Sequence, residues 1–322
     1  MSSSGQRVPC PVFKTLQTAQ LRKLDFIAIT DHNAVSQNQA LRELAPFFDT
    51  LLILPGREIT TFQGHANVWG PTRDLDFQLG TKRAKTFNAI LDQVHDAQGL
   101  VSINHPQLPS GEACMGCGWT APTDWSKVDA IEVINGGSLA FQGAEGPMSG
   151  IPFWEHLLDS GYRITAVGGS DNHDPDLPVD RPGALGRPTT FVHAEALTQS
   201  ALLDGIHRGR VFLDVAGLSA PVLEVKAVVG DQAVETGGTL LLRTGDLVHL
   251  TVSAAGLPPG ATLSARGSAL SSAAQRDWPA VSNPTEIVLP FGGAASWLRF
   301  DVRDPMGALI LLGNPVYLRP AP

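Results

Sequence analysis

The sequence predicts an α/β protein: a barrel of strands and helices in residues 1–214, followed by a small β-sandwich in residues 215–322. Three observations support this prediction. Short apolar runs alternate with helical patterns in the first two thirds of the chain. Several of these runs end in histidine or acidic residues. Beyond Pro221 the helical patterns stop, and short segments of alternating polarity take their place.

The predicted strands of the first part are runs of valine, isoleucine, leucine and alanine. Continuous apolar runs are typical of strands that are buried on both faces, as in a parallel sheet. The runs occupy residues 24–30, 52–55, 65–69, 100–104, 130–134, 164–168 and 189–193.

Helices are predicted between several strands, because apolar residues recur there at intervals of three and four. Strand–helix alternation indicates βαβ units, and an open Rossmann-type sheet is the alternative to a barrel. No glycine fingerprint follows the first strand, which favours the barrel. The apolar residues that recur at helical spacing are Leu41, Leu44, Ala45 and Phe48, then Phe87, Ile90, Leu91 and Val94, and finally Leu202, Leu203 and Ile206. Residues 136–150, by contrast, are predicted to form a flexible loop near the site.

The last hundred residues show the alternation of half-buried strands, as in Val248, Leu250 and Val252, with Gly, Pro and Asp turns between segments. This pattern predicts an antiparallel sandwich. His249 is its only histidine, so we expect this part to support, oligomerise or bind rather than to catalyse.

The composition argues against two classes of protein. The formal net charge is -8, whereas a nucleic-acid-binding protein normally carries a basic stripe, so no nucleic-acid partner is expected. No apolar stretch reaches the roughly 18–20 residues of a membrane span. No signal peptide is visible, and the compartment stays open between the cytoplasm and export. The sequence does not indicate an oligomeric state.

Four apolar runs end in residue types that bind metal ions. Strands of a parallel barrel point their carboxyl ends at the active site, so these residues should converge on one pocket. Imidazole and carboxylate groups bind zinc, manganese or iron. The predicted ligands of divalent metal ions are His32, Glu58, His65, His105, Asp171 and His173.

Individual roles follow from position. Glu58 comes after a predicted strand and a Pro-Gly turn, which suits a carboxylate that bridges two ions. Asp171 and His173 are two residues apart and would face the same side of an extended segment. With His105 they are the predicted catalytic residues. Asp31 is predicted to orient a ligand. Each histidine or acid has an alternative role in a turn, in a loop or at the surface.

Other polar residues give weaker signals. Arg57 and Arg187 are predicted to bind an anionic substrate, phosphate above all, with salt bridges as the alternative. Cys114 and Cys117 form a C-x-x-C pair that is read as ordinary loop cysteines, a redox pair or a local disulfide. Two cysteines alone are too few for a structural zinc site. Three histidines on helical stretches are predicted to be structural, namely His95, His156 and His207.

The sequence resembles the PHP (polymerase and histidinol phosphatase) superfamily of metallohydrolases, through Leu24–Asn33, Pro55–Glu58, Asn104–Pro106 and Gly169–His173. The segment Glu58–His65 and the trailing sandwich look most like the CehA/McbA-type branch. The resemblance implies a distorted (β/α)7 barrel over about residues 3–213 and a site of two or three ions. It also implies hydrolysis of a small phosphoester, carbamate or amide-like substrate by a hydroxide that bridges two ions.

The chain departs from this superfamily at its beginning. PHP domains open with a His-x-His-Ser strand that is soon followed by Ser-Asp-Gly. Ser3-Ser4-Gly5 stands where Ser-Asp-Gly is expected, so the first strand and both histidines would precede Met1. Either the natural chain is longer, or this is a degenerate, non-catalytic binding module. A polymerase-type exonuclease is disfavoured by the acidic charge, and a serine hydrolase by the lack of a G-x-S-x-G elbow.

Overall fold

The computed structural model describes residues 12–70, 75–112, 114–271, 276–280 and 284–322. Ser3-Ser4-Gly5 lies outside these ranges. Within them, the first two thirds of the chain contain six α-helices. These are α1 (Val12–Leu21), α2 (Gln37–Leu44), α3 (Phe87–Asp96), α4 (Gly136–Gln142), α5 (Ile151–Asp159) and α6 (Gln199–His207).

The strands of the same part form one mixed sheet of six, in the order β1-β2-β3-β4-β5-β6. The pairs β1–β2, β4–β5 and β5–β6 are parallel, whereas β3 is antiparallel to both neighbours. Backbone hydrogen bonds between the described strands do not close this sheet into a ring. The strands are β1 (Phe26–Ile29), β2 (Leu52–Thr61), β3 (Gly64–Trp69), β4 (Leu100–Asn104), β5 (Ala130–Asn135) and β6 (Thr165–Gly169).

The remaining two strands of the first part belong to another sheet. Strands β7 (Thr189–Val192) and β8 (Val211–Asp214) pair with each other, and β8 pairs with β17 (Leu309–Gly313) of the C-terminal part. The fold is therefore mixed α/β with a half-barrel sheet and further sheets, and a closed (β/α)7 barrel stays a prediction. The boundary between residues 214 and 215 also stays a prediction.

Two side chains cover the free edge of β6 where a further strand would otherwise pair. The Asn314 amide accepts a hydrogen bond from Ala166 N at 2.7 Å and donates to Ala166 O at 2.9 Å. The Thr190 hydroxyl lies 3.0 Å from Gly168 N and 2.7 Å from Gly168 O. Because buried backbone groups need partners, these contacts join the half-barrel to the C-terminal sheet.

Strand β2 is longer than the predicted 52–55 and carries Glu58 in its interior. The Pro55-Gly56 pair does not end the strand. A methyl group on Gly56 would lie 2.9 Å from Val68 O, so glycine allows the neighbouring strand to approach closely. The chain turns instead at Phe62 and Gln63, where β2 and β3 form a hairpin.

Helices α3 and α6 bury the apolar stripes that the sequence indicates, whereas the stripe around α2 is buried only in part, with Ala45 exposed. Phe87, Ile90, Leu91 and Val94 of α3 are all buried. Helix α2 ends at Leu44 and gives way to a short 3-10 turn, because Pro46 cannot donate a backbone hydrogen bond and disfavours a continuing helix.

The prediction of a flexible loop over 136–150 is wrong for its first half. Helix α4 begins there because the Asn135 side chain caps it, accepting from Gly137 N at 2.7 Å and Ser138 N at 3.4 Å. A methyl group on Gly136 would meet Ser170 O at 2.2 Å, so this glycine permits close approach to β6.

The C-terminal part is all-β over the residues that are described. A four-stranded sheet, β10-β9-β12-β15, faces the sheet of order β11-β18-β16-β17-β8-β7, with an apolar core between them. No described helix is long and apolar enough to cross a membrane. The strands are β9 (Val222–Val229), β10 (Gln232–Glu235), β11 (Thr239–Leu242), β12 (Leu247–Ala255), β13 (Thr262–Arg266), β14 (Asp277–Pro279), β15 (Thr285–Pro290), β16 (Ser296–Arg303) and β18 (Val316–Pro320).

Candidate metal centre

A buried carboxylate, Glu58, lies among three imidazoles at one end of the half-barrel. Its Oε2 is 3.3 Å from His32 Nδ1, and its Oε1 is 3.2 Å from His65 Nδ1. The Nε2 of His105 lies 3.5 Å from the same Oε1. Four of the six residues predicted as ligands therefore surround one point.

The chain after β1 brings His32 to this point through hydrogen bonds to β2. His32 forms an isolated parallel bridge with Glu58, and Asn33 N donates to Glu58 O at 2.8 Å. The Asn33 side chain holds both backbone groups of Thr60, at 2.9 Å and 3.0 Å. The Asn33 amide thus pairs with β2 as a strand residue would. The exposed His32 ring is held by Thr60, whose Oγ1 lies 2.6 Å from His32 Nδ1.

The segment after β6 places Asp171 and His173 beside the same cluster. Asn135 Nδ2 donates to Asp171 Oδ2 at 3.2 Å. The ring of His173 stacks 6.0 Å from that of His32 and is 62% exposed. All six predicted ligands therefore lie together, with His65 and His105 buried and His32 and His173 near solvent.

Three of the six described non-glycine residues with positive φ lie at the same place. Asn33, His105 and Asp171 have φ values of +52°, +29° and +49°. Non-glycine residues rarely adopt positive φ, and such strain often occurs at functional sites. The strain lies where β1, β4 and β6 end, so it turns the ligand-type side chains toward the cluster.

Two further residues belong to the site although the sequence analysis missed them. Asn104 Nδ2 donates to Glu58 Oε1 at 3.1 Å. Glu132 is buried in β5, where its Oε2 accepts from His105 N at 2.9 Å and both its oxygens accept from Asn135. The available signal for Glu132 was an acid in the middle of the apolar run Ala130–Asn135, where an unpaired charge is costly.

The two buried acids have opposite pKa shifts. Burial raises the pKa of Glu58, but hydrogen bonds from His105 and His65 and the charge of His32 outweigh it, so the pKa falls well below its ordinary value. Burial raises the pKa of Glu132 to about 8 despite the nearby charge of His105, and Asp171 and Glu58 add to this increase. Burial lowers the pKa of His105, yet Glu58 and Glu132 raise it more, so the net shift is upward.

The donor set fits divalent metal ions. Ring nitrogens of His32 and His65 and a carboxylate oxygen of Glu58 lie within 4.8 Å of one another. His105 Nδ1 is buried and has no hydrogen-bond partner among the described residues. This nitrogen is therefore a further atom that could bind a metal ion. The cluster opens into a cleft of about 1370 Å³ that is also lined by Glu132, Asp171 and His173.

The two arginines predicted to bind substrate have different surroundings. Arg187 lines the cleft and is half-buried. Arg57 is buried, donates to Leu75 O at 3.0 Å and lies over the Phe77 ring, outside the cleft lining. The position of Arg57 favours a structural role, because strand β2 turns its side chain away from that of Glu58.

Two of the histidines predicted to be structural lie away from the cluster, at the opposite end of the sheet. His95 Nε2 and His207 Nδ1 flank the carboxylate of Asp129 at 2.9 Å and 3.0 Å. The hydrogen bonds to Asp129 raise the pKa of both imidazoles. His156 lies on α5 and is not among the residues that line the cleft.

The C-x-x-C pair is joined as a local disulfide next to the buried imidazoles. Cys114 and Cys117 have a Cα–Cα separation of 5.5 Å. Cys117 Sγ lies 3.9 Å from His65 Nδ1, and Met115 O lies 2.9 Å from His65 Nε2. The loop that follows His105 therefore covers the inner side of the cluster.

Comparisons with solved structures show a distant likeness. Neither the protein-family profiles nor the curated proteins gave a match. A solved structure from Bacteroides vulgatus, described as a two-domain protein containing a predicted PHP-like metal-dependent phosphoesterase, is 17% identical with a TM-score of 0.48. The alignment covers 95% of this chain and 89% of that one. A likeness this distant does not assign a family or an activity.

Proposed function

We propose that this protein is a metal-dependent hydrolase of small molecules. The observation that carries the proposal is the buried Glu58 carboxylate among His32, His65 and His105 at the base of an open cleft. Imidazole and carboxylate donors in this arrangement are typical of hydrolytic metal sites. The motifs quoted above support a PHP-type enzyme, and Glu58–His65 supports its CehA/McbA-type branch.

Six side chains would hold the ions, which we propose to be two or three in number and zinc, manganese or iron. Bound there, such ions would lower the pKa of a water molecule toward neutrality and stabilise negative charge on the substrate. Glu58 is suited to lie between two ions because its two oxygens face different imidazoles, Oε2 toward His32 and Oε1 toward His65. The other proposed ligands are His105, Asp171 and His173.

The surrounding residues fix these groups before substrate arrives. Asn104 holds Oε1 of Glu58, and Asn135 holds Asp171. Glu132 accepts from the backbone of His105 and so maintains its strained conformation. Partners of this kind orient ligands and influence metal affinity.

The exposed His173 is the better proton donor of the two histidines predicted to be catalytic. His105 is buried and its Nε2 points at Glu58, so its ring is engaged as a ligand. The ring of His173 borders the cleft, and its Nδ1 lies 2.9 Å from Asp171 O, which leaves Nε2 directed elsewhere. A ligating imidazole cannot donate a proton at the same time, so His173 would act as the donor through Nε2 only while it binds no ion.

Arg187 favours an anionic substrate over a neutral one. Arg187 lines the cleft beside Asp214, on which its charge acts, and its Nε is buried with no hydrogen-bond partner among the described residues. Guanidinium groups bind phosphate oxygens through paired hydrogen bonds. We therefore place a phosphoester ahead of a carbamate or an amide as the substrate class.

A metal and turnover assay of matched variants tests the proposal. Purified protein should contain two or three equivalents of divalent metal by mass spectrometry and should hydrolyse nitrophenyl phosphate mono- or diesters. Glu58→Ala should lose metal and turnover together, whereas His207→Ala, at the opposite end of the sheet, should keep both. Turnover that survives in Glu58→Ala would refute the proposal. A folded protein that binds metal without hydrolysing any ester or amide would favour the binding module.

A further inference from the structure

The cysteine loop, residues 114–119, is packed firmly against the β2–β3 hairpin. A methyl group on Gly116 would lie 2.1 Å from Thr61 O, so only glycine allows this approach. The loop continues through hydrogen bonds from Trp119 N to Pro106 O and from Thr120 N to Gln63 O. The two sulfur atoms are therefore held over His65 by packing on both sides.

His65 and His105, two of the predicted metal ligands, lie close to these sulfur atoms and also to Glu58. One donor atom from each of Cys114, Cys117, His65 and His105 forms a set in which all atoms lie within 4.8 Å of one another. His65, His105 and Cys117 are nearly excluded from solvent. The set has the two-thiolate, two-imidazole composition of a closed tetrahedral zinc site.

We propose that the reduced cysteine loop forms a separate metal site, in which Cys114 and Cys117 bind a zinc ion together with His65 and His105. Two thiolates neutralise the charge of one divalent ion, which suits a buried position. Ligand atoms around tetrahedral zinc lie roughly 3.3–3.8 Å apart, so a contraction of about 1 Å suffices once the disulfide is open.

This site competes with the one around Glu58, because the same imidazole serves both. His65 Nδ1 is 3.2 Å from Glu58 Oε1 and 3.9 Å from Cys117 Sγ. One ring nitrogen binds one ion, so zinc bound through His65 Nδ1 in the cysteine loop withdraws that imidazole from Glu58. The competition depends on the proposed hydrolase site around Glu58. The existence of the thiolate site does not depend on it.

The redox step needs an external dithiol. The dithiol gives two electrons and two protons to the Cys114–Cys117 disulfide. The protein S–S bond breaks to give two thiols, and the reductant becomes a cyclic disulfide. Both thiols then release their protons as their sulfur atoms bind zinc. Reoxidation to the disulfide requires loss of the ion and an oxidant such as a second disulfide.

Binding of Co²⁺ in place of zinc detects this site directly, because thiolate–cobalt coordination gives an intense near-ultraviolet charge-transfer band. Reduced protein loaded with Co²⁺ should show the band, and disulfide-bonded protein, confirmed by thiol titration, should not. This comparison needs no substitution. Cys114→Ser and Cys117→Ser should lose most of the band, and Cys10→Ser is the matched control that should keep it.

Glu58→Ala separates this inference from the proposed function, since it should abolish hydrolysis and keep the cobalt–thiolate band. In the wild type, zinc added after reduction should lower turnover at least tenfold, and reoxidation should restore it. A reduced, folded wild type without the band would overturn the inference. So would a band that persists in both Cys114→Ser and Cys117→Ser.

Discussion

Replacing Glu132 with glutamine should stabilise the metal-free protein in alkaline solution. The folded carboxyl keeps its proton up to a pKa of about 8, whereas an ordinary glutamate has a pKa of 4.5. Between these values the folded state holds one more proton than the unfolded state. The free energy of unfolding therefore falls as the pH rises from about 4.5 to about 8.

The size of the effect follows from the shift. A difference of about 3.5 pKa units corresponds to about 5 kcal/mol, since one unit is worth about 1.4 kcal/mol. Relaxation and water entry reduce this figure, so we expect Glu132→Gln to be about 2–5 kcal/mol more stable than the wild type at pH 9. At pH 5 the neutral acid and the amide are similar, and the two proteins should unfold alike.

His105 contributes to the same pH range and must be separated from Glu132. Its raised pKa stabilises the fold at low pH, and that stabilisation is lost as the pH rises through the folded pKa. Glu58 remains in Glu132→Gln, so part of this His105 dependence should persist. The loss of stability between pH 5 and pH 9 should consequently shrink in the variant without vanishing.

Thermal and urea unfolding in the presence of a chelator, at pH 5 and pH 9, measures the effect. Glu43→Gln is the matched control, because Glu43 is an exposed acid on α2 and should leave the pH dependence unchanged. If Glu132→Gln loses as much stability as the wild type between the two pH values, then Glu132 does not carry the buried proton and the argument is refuted.

Two further substitutions test the fold that supports the site. Asn314→Ala should lower the free energy of unfolding by about 2–4 kcal/mol in chemical denaturation, because backbone groups on the edge of β6 lose their buried partners; an unchanged value would show that water replaces the amide. Trp154→Ala should cost about 3–5 kcal/mol, since this fully buried ring leaves a cavity and its Nε1 donates to Ile164 O. Phe141→Ala, which truncates an exposed ring on α4, should cost under 1 kcal/mol, and an equal loss in both variants would contradict the assigned core.

Much of the half-barrel could be predicted from local patterns. The apolar runs before Asp31, His105 and Ser170 correspond to β1, β4 and β6, because strands buried on both faces need continuous apolar sequence. The convergence of histidines and acids could be inferred from their positions near strand ends. Their individual roles as ligands and catalysts stay predictions.

The remaining features depend on distant contacts that no local pattern contains. The pairing of β8 with β17 joins residues nearly one hundred positions apart, so the placement of β7 and β8 in the C-terminal sheet was not foreseen. An acid such as Glu132 is unexpected in an apolar strand, because its partners, Asn135 and the His105 backbone, reach it only in the folded chain. Arg57 and Glu58 are neighbours on opposite faces of β2, so only one of them can point toward the cluster. Pairing with β3 determines which face points inward.

The Asn314 amide makes the two halves of the molecule interdependent. A chain that stopped at Asp214 would keep every proposed metal ligand and the Thr190 contacts to Gly168. It would lose the Asn314 amide that satisfies Ala166 of β6, as well as the strand beside β8. Strand β6 leads directly to Asp171 and His173, so loosening its edge would displace two ligands that lie far from the cut. The half that carries the proposed metal ligands therefore cannot be separated from its neighbour without disturbing the geometry of the site.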